Sequence, residues 1–151
     1  MIEGVIIKDL ITHKDERGFF REIFRFSSEF RNVPVGQLSH SLVREGVIKA
    51  WHGHTNQAQW NYVVTGQLKV ALFDNREGSK TYHKTMEFRI GEEGEANAYY
   101  FPKGILHGYK CMKGPLHIIY VTSGIYDLED EIRHPYDSSD IGYDWVNEPE
   151  G

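Results

Sequence analysis

The sequence predicts an all-β fold, a barrel or sandwich of short strands. Three observations lead there. Apolar and polar residues alternate through many short segments. Clusters of Gly, Asn, Asp and Pro separate those segments at close, regular intervals, as turns do between neighbouring strands. Helical periodicity is nearly absent, while aromatic residues make up 13% of the chain, a ring density that first of all serves β-sheet cores.

Taken in order, VIIKDLITH (5–13) is β-rich and runs into a charged turn, KDERG (14–18). GFFREIFRF (18–26) is aromatic and roughly alternating. SSEFRNV (27–33) is a short expected helix, capped by Ser27 or Ser28 with Glu29 in its first turn. QLSHSLVREG (37–46) alternates cleanly and puts Leu38, His40 and Leu42 on one face. VIKAWHGH (47–54), QWNYVVTG (59–66) and QLKVALFDN (67–75) read as successive strands. KTYHKTMEFRIG (80–91), ANAYYFP (96–102), HGYKCM (107–112) and LHIIYVTSG (116–124) complete the set. Turns are expected at NREGS (75–79), GEEGE (91–95) and MKGP (112–115). The tail, 135–151, is acidic and turn-rich, and its last few residues are expected to be poorly ordered.

A length of 151 residues suits one domain, 1–151. The net charge of -5 argues against a nucleic-acid or anionic-membrane partner. The single cysteine, Cys111, excludes an internal disulfide and fits a reducing compartment. It reads as a small buried residue. The N-terminus carries acid and lysine within its apolar run, so no signal peptide is expected, and no segment reaches the ~18 apolar residues of a membrane span. The cytoplasm is the expected location.

The chemistry concentrates in HGH at 52–54 and in PKGILHGY at 102–109. Alternation along a strand points His52 and His54 the same way. His107, after a Pro-Lys-Gly turn, is placed to join them. Gly46, His52, His54, Gln59 and Gly66 follow the spacing of the first motif of the cupins. The second cupin motif is represented by Pro102, Gly104 and His107. That resemblance implies a double-stranded β-helix, a jelly-roll barrel with short helical segments. In metal-binding cupins these positions hold the ion. One reading is therefore a metal site of His52, His54, Gln59 and His107 in a dioxygenase or isomerase. A neutral amide at Gln59 is a poor substitute for the usual carboxylate on a divalent cation.

A second reading needs no metal or other cofactor. DERGFFRE (15–22), GVIKAWHGH (46–54), VVTG (63–66), DNREGS (74–79), FPKGILHGY (101–109), IIYVTSGIY (118–126) and DIGYDW (140–145) occur in one order at near-matching intervals. In this the chain resembles the dTDP-4-dehydrorhamnose 3,5-epimerases, a cupin family. The resemblance implies epimerisation at C3 and/or C5 of a nucleotide-linked 4-keto-6-deoxy sugar, in deoxysugar or polysaccharide biosynthesis. It makes His52 the general base and Tyr120 the general acid. It assigns Arg17 to the nucleotide diphosphate, with Glu22 beside it and Phe19 as an aromatic near the substrate. Gln37, Ser41 and Tyr126 match further pocket positions, and His107 matches a histidine near the active site. It also implies a homodimer, in which an N-terminal segment such as 2–12 covers a partner's strand edge.

Several departures bear on that reading. Lys49 stands where the family has Arg, and Gln59 where it has a Lys that stabilises the enolate. Gln59 and Lys49 are then the polar partners of that enolate. The family's Asp that pairs with the base lies past the last residue of this chain. Acidic residues between 127 and 150 are plentiful, but spacing selects none of them. A third reading is a non-catalytic, sugar-binding barrel in which strand histidines are satisfied by neighbours. His13, His40, His83, His117 and His134 are read that way, since they lie in turns or strands without a partner pattern.

Overall fold

A computed structural model describes residues 1–93 and 96–147. The expected turn at 91–95 falls partly outside those residues, and the expected disorder of the last few residues falls wholly outside. The strands are β1 (Ile6–Lys8), β2 (His13–Asp15), β3 (Gly18–Phe20), β4 (Gln37–Val43), β5 (Ile48–His54), β6 (Gln59–Asp74), β7 (Thr85–Gly91), β8 (Ala98–Phe101), β9 (Ile105–Thr122) and β10 (Glu131–Arg133). One four-residue helix, α1 (Phe26–Glu29), and a 3-10 turn at Leu128–Asp130 are the helical pieces. The all-β expectation with short helical segments holds.

Two long strands organise the barrel. β6 and β9 pair with each other along nearly their whole length. The first half of β6 also pairs with β8 and its second half with β7. The first half of β9 pairs with β5 and its second half with β4. β1 and β10 complete the two halves on β8 and β5. Each long strand thus belongs to both sheets, and the bends between the halves make the jelly roll.

Here the structure departs from the sequence reading. Residues 59–66 and 67–75 form one strand, not two, and MKGP at 112–115 is a bend inside β9 rather than a reversal. Gly66 explains the first. Its φ of +95° bends β6 without ending it, and a Cβ there would meet the Lys113 carbonyl at 2.7 Å. The pairing of Gln67 with Lys113 carries the ladder past the bend. The helix is shorter than expected and starts at Phe26, with Arg25 at the N-cap and no side-chain cap. Phe26 instead meets Trp60 edge-on at 5.1 Å, so ring packing rather than serine capping fixes the start. The segment at 80–84 turns before β7 begins, and β3 ends at Phe20. Residues Ile6–Lys8 pair with this chain's own β8, so that part of the N-terminal segment closes its own sheet.

The main core lies between the sheet halves and includes Leu68, Val70, Leu72, Ile90, Leu116 and Cys111. A second cluster joins Trp51, Trp145, Phe73 and Leu106. Trp145 packs against Trp51 in a tilted pair at 5.3 Å and against Tyr143 edge-on at 4.6 Å, which explains the DIGYDW landmark as packing. On β4 the expected alternation is present, with the leucine face outward and the Gln37 and Ser41 face toward the interior. Leu38 and Leu42 are 71% and 58% exposed, while Gln37 and Ser41 face a cavity.

Candidate active site

The cavity has a volume of about 290 Å³. Strand alternation builds its wall. His52 and His54 come from β5, Gln59 and Asn61 from β6, His107 and Tyr109 from the start of β9, and Ile118, Tyr120 and Thr122 from its end. Gln37 and Ser41 enter from β4 and Glu131 from β10; Gln57 and Tyr126 enter from loops. Lys49 lies three positions before His52, which in a regular strand means opposite faces. The register of β5 on β9 shifts between Lys49 and His52, and that irregularity brings both onto the cavity side.

His52 stands opposite His107 in the ladder, with ring centroids 6.1 Å apart. His52 is held below its ordinary pKa, chiefly by burial and then by the Arg133 charge. Burial pushes His107 down to about 3, with the His52 and His54 charges adding to it. Both imidazoles are therefore neutral near pH 7. A neutral imidazole accepts a proton, which is what a base requires. The pair exposes no cationic pair to the cavity.

The amides are oriented. Gln59 Nε2 donates to Asn61 Oδ1 at 2.6 Å, and Asn61 Nδ2 donates to the Tyr99 carbonyl at 3.3 Å. An amide nitrogen carries two hydrogens, so Gln59 keeps a second N–H for a ligand oxygen. Tyr109, beside Tyr120, is pushed well up by burial, so its phenol stays protonated. Among the described residues, three buried polar atoms around the cavity have no hydrogen-bond partner: His54 Nδ1, His107 Nε2 and Glu131 Oε2. Buried polar atoms are nearly always paired, so a cluster of unpaired ones points to a polar occupant.

Arg17, Phe19 and Glu22 do not line this cavity in the single chain. Arg17 is exposed on the β2–β3 hairpin and bonds Asp15 at 2.6 Å. Phe19 lies under Arg21, and Glu22 pairs with Arg25. Among the described residues, no group of three or more His, Cys, Asp or Glu side chains is arranged to hold a metal ion. His40 and His117, read as strand histidines satisfied by neighbours, satisfy each other, with Nε2 and Nδ1 2.9 Å apart on the outer face. They sit on adjoining strands, a juxtaposition that sequence spacing does not reveal.

Sequence reasoning left open which acid reaches His52. The structure puts Glu131 there, with Oε1 3.7 Å from His52 Nδ1. Neighbouring Asp130 lies 3.8 Å from His54 Nδ1 but accepts from the Thr55 hydroxyl and from the Thr55 and Asn56 amides. The signal for Glu131 was tertiary: β10 returns along β5 only once the intervening loop is folded.

The fold and the cavity define a cupin-type barrel whose interior carries neutral imidazoles, a phenol and oriented amides. The family model described as dTDP-4-dehydrorhamnose 3,5-epimerase matches residues 1–150, and the chain belongs to that family of carbohydrate epimerases. It is 42% identical over 151 residues to the spore coat polysaccharide biosynthesis protein SpsL of Bacillus subtilis, covering 98% of this chain and 99% of that one. It is 32% identical over 154 residues to the probable low-salt glycan biosynthesis epimerase Agl13 of Haloferax volcanii, covering 99% and 98%. Among solved structures, ChmJ, a 3'-monoepimerase from Streptomyces bikiniensis in complex with dTDP-quinovose, matches with a TM-score of 0.87 at 24% identity, covering 99% of this chain and 78% of that one. This last match concerns the fold.

Proposed function

We propose that this chain epimerises C3 and/or C5 of a dTDP-linked 4-keto-6-deoxy sugar by removing and returning a proton, without a cofactor. The observation that carries the reading is that His52, neutral near pH 7, lines the same cavity as the Tyr120 phenol. His52 takes the proton next to the C4 ketone, and the electron pair moves onto the ketone oxygen as an enolate. Gln59 and Lys49 stabilise that oxygen, Gln59 through its remaining N–H. Tyr120 delivers a proton to the opposite face of the carbon, which inverts it. Exchange with water then resets the protonated imidazole and the phenolate. Every proton is accounted for, and no electron is gained or lost.

The names of SpsL and Agl13 support a place in the biosynthesis of a surface polysaccharide or glycan. The cytoplasm, where nucleotide sugars are made, is the proposed location; among the described residues no helix is long and apolar enough to cross a membrane. The proposed assembly is a homodimer. The exposed Leu38 and Leu42 of β4 are the surface a second copy would cover, and in such a dimer the exposed hairpin bearing Arg17 and Phe19 would serve the neighbouring cavity.

The test is solvent exchange. In D₂O, dTDP-4-keto-6-deoxyglucose should take up deuterium at each carbon the enzyme inverts. Label at C3 alone, C5 alone or both reads out the positions directly. No label at either carbon, with this substrate and with its CDP, GDP and UDP counterparts, overturns the reading.

A further inference from the structure

We propose that Glu131 is the positioning residue for His52: its carboxylate holds the hydrogen on Nδ1 and leaves the Nε2 lone pair for the substrate. This rests on His52 being the base. A base must present a lone pair to the carbon acid, so its other ring nitrogen must carry the hydrogen and find an acceptor. An imidazole without that acceptor divides its hydrogen between the two nitrogens.

The ladder supplies the acceptor. β10 runs antiparallel to β5 with Glu131 opposite His54 and Arg133 opposite His52. Residues two apart share a face, so Glu131 and Arg133 project beside the two histidines. Glu131 Oε1 lies 3.7 Å from His52 Nδ1. Closing that gap to hydrogen-bonding range takes roughly an ångström or less, a tightening that active sites commonly make when substrate binds.

The charged and titratable groups facing His52 are Lys49 and His54 on its own strand, His107 and Tyr120 on β9, and Glu131 and Arg133 on β10. Glu131 is the only anion among them. Its side chain is 10% exposed, and its Oε2 has no partner. Arg133 Nε bonds Oε1 at 2.9 Å and keeps the group ionised. Arg133 thus fixes Oε1, the oxygen that approaches the His52 ring, in place beside it. Asp130, one residue earlier, is the internal contrast: both its oxygens accept from the Thr55–Asn56 turn.

Nitrogen-15 NMR of histidine-labelled enzyme tests this without turnover. The wild-type His52 ring should carry its hydrogen on Nδ1. Glu131→Ala should move it predominantly to Nε2, lower kcat by about 10²–10⁴-fold as loss of the orienting acid does elsewhere, and leave KM within about threefold. Glu131→Gln, whose carbonyl still accepts, should recover part of kcat. A hydrogen on Nε2 in the wild type overturns the proposal, even if no variant folds. So does an unmoved hydrogen in Glu131→Ala, or a loss that falls on KM and makes Glu131 a substrate ligand. Absence of solvent exchange in the wild type would strike at His52 as base, whereas the position of the ring hydrogen reports on Glu131 alone.

Discussion

Two polar clusters in this molecule are buried to a similar degree and arranged in opposite ways. At the corner after β6, Asp74 is fully buried and every oxygen lone pair is used. Oδ1 accepts from Arg76 N at 3.0 Å and Nε at 2.9 Å; Oδ2 accepts from Arg76 Nη2, the Ser79 hydroxyl and the Thr81 hydroxyl at 2.9, 2.7 and 2.6 Å. These bonds hold the Asp74 carboxyl well below the usual carboxylate range. Around the cavity, by contrast, His54, His107 and Glu131 each keep a buried atom unpaired. The corner is a polar network completed by the fold. The cavity is one left for something else to complete. In the corner the satisfied groups serve stability; in the cavity the unsatisfied ones are open to binding and chemistry.

The largest expected effect breaks the cavity alone. His52→Ala should lower epimerisation by on the order of 10³–10⁴-fold, while the unfolding free energy from urea titration stays within about 0.5 kcal/mol of wild type. Tyr120→Phe separates the two proton steps. Inversion should fall by about 10²-fold or more, while solvent deuterium still enters through His52 on the original face, as NMR of recovered substrate would reveal. If both variants lose stability as much as activity, the cavity is a structural cluster and the contrast fails.

Next comes the corner. Arg76→Ala removes the guanidinium from a buried carboxylate whose remaining donors are the residue-76 backbone N–H and the hydroxyls of Ser79 and Thr81. It should cost about 3 kcal/mol by chemical denaturation, the lower end for breaking a buried pair. The kcat of the folded fraction should stay within twofold. A large fall in kcat would mean that the corner reaches the chemistry.

The same contrast explains what could be read from the sequence. The landmark DNREGS stands out as readily as GVIKAWHGH, yet Asp74 and Arg76 build a turn, and Arg76 also bonds the Glu3 carbonyl. DIGYDW is memorable because Trp145 fills the space against Trp51. His52, His54 and His107 were legible because strand alternation is local and fixes which way each points. Glu131 was not, because its place depends on where β10 returns. Leu38 and Leu42 were legible as a face from alternation, and as the face away from the pocket only through the resemblance that put Gln37 and Ser41 inside. The period of two says which residues go together, and the barrel, not the period, says which set faces the cavity. Residues 59–74 and 105–122 read as two strands each because Gly66 and Gly114 look like breaks, whereas paired strands can bend at glycine.

Acid sharpens the comparison in smaller steps. His107 is driven down to about 3 and His52 lowered as well, so the folded protein binds fewer protons than the unfolded chain between an imidazole's ordinary 6.5 and about 3. Stability then rises with pH across that window and falls as pH drops through it. Each such histidine contributes a slope of up to about 1.4 kcal/mol per pH unit. His107→Phe should flatten the slope of unfolding free energy between pH 6 and 4. An unchanged slope would mean that His107 takes up its proton in the folded state without penalty.

The smallest expected effect falls on Lys49, the one cation of the cavity wall that is exposed. An ammonium in water-excluded surroundings next to an enolate is worth about 10²–10³ in rate, but solvent and salt screen one at a rim. Lys49→Ala should therefore lower kcat/KM by less than about tenfold in low salt, and the difference should shrink as salt rises toward 0.5 M. Lys49 also disfavours the charged form of His52, so its removal should shift the acidic limb of the kcat/KM profile to slightly higher pH. If the loss instead exceeds a hundredfold and persists in high salt, Lys49 closes over the substrate and belongs with the unsatisfied cluster inside.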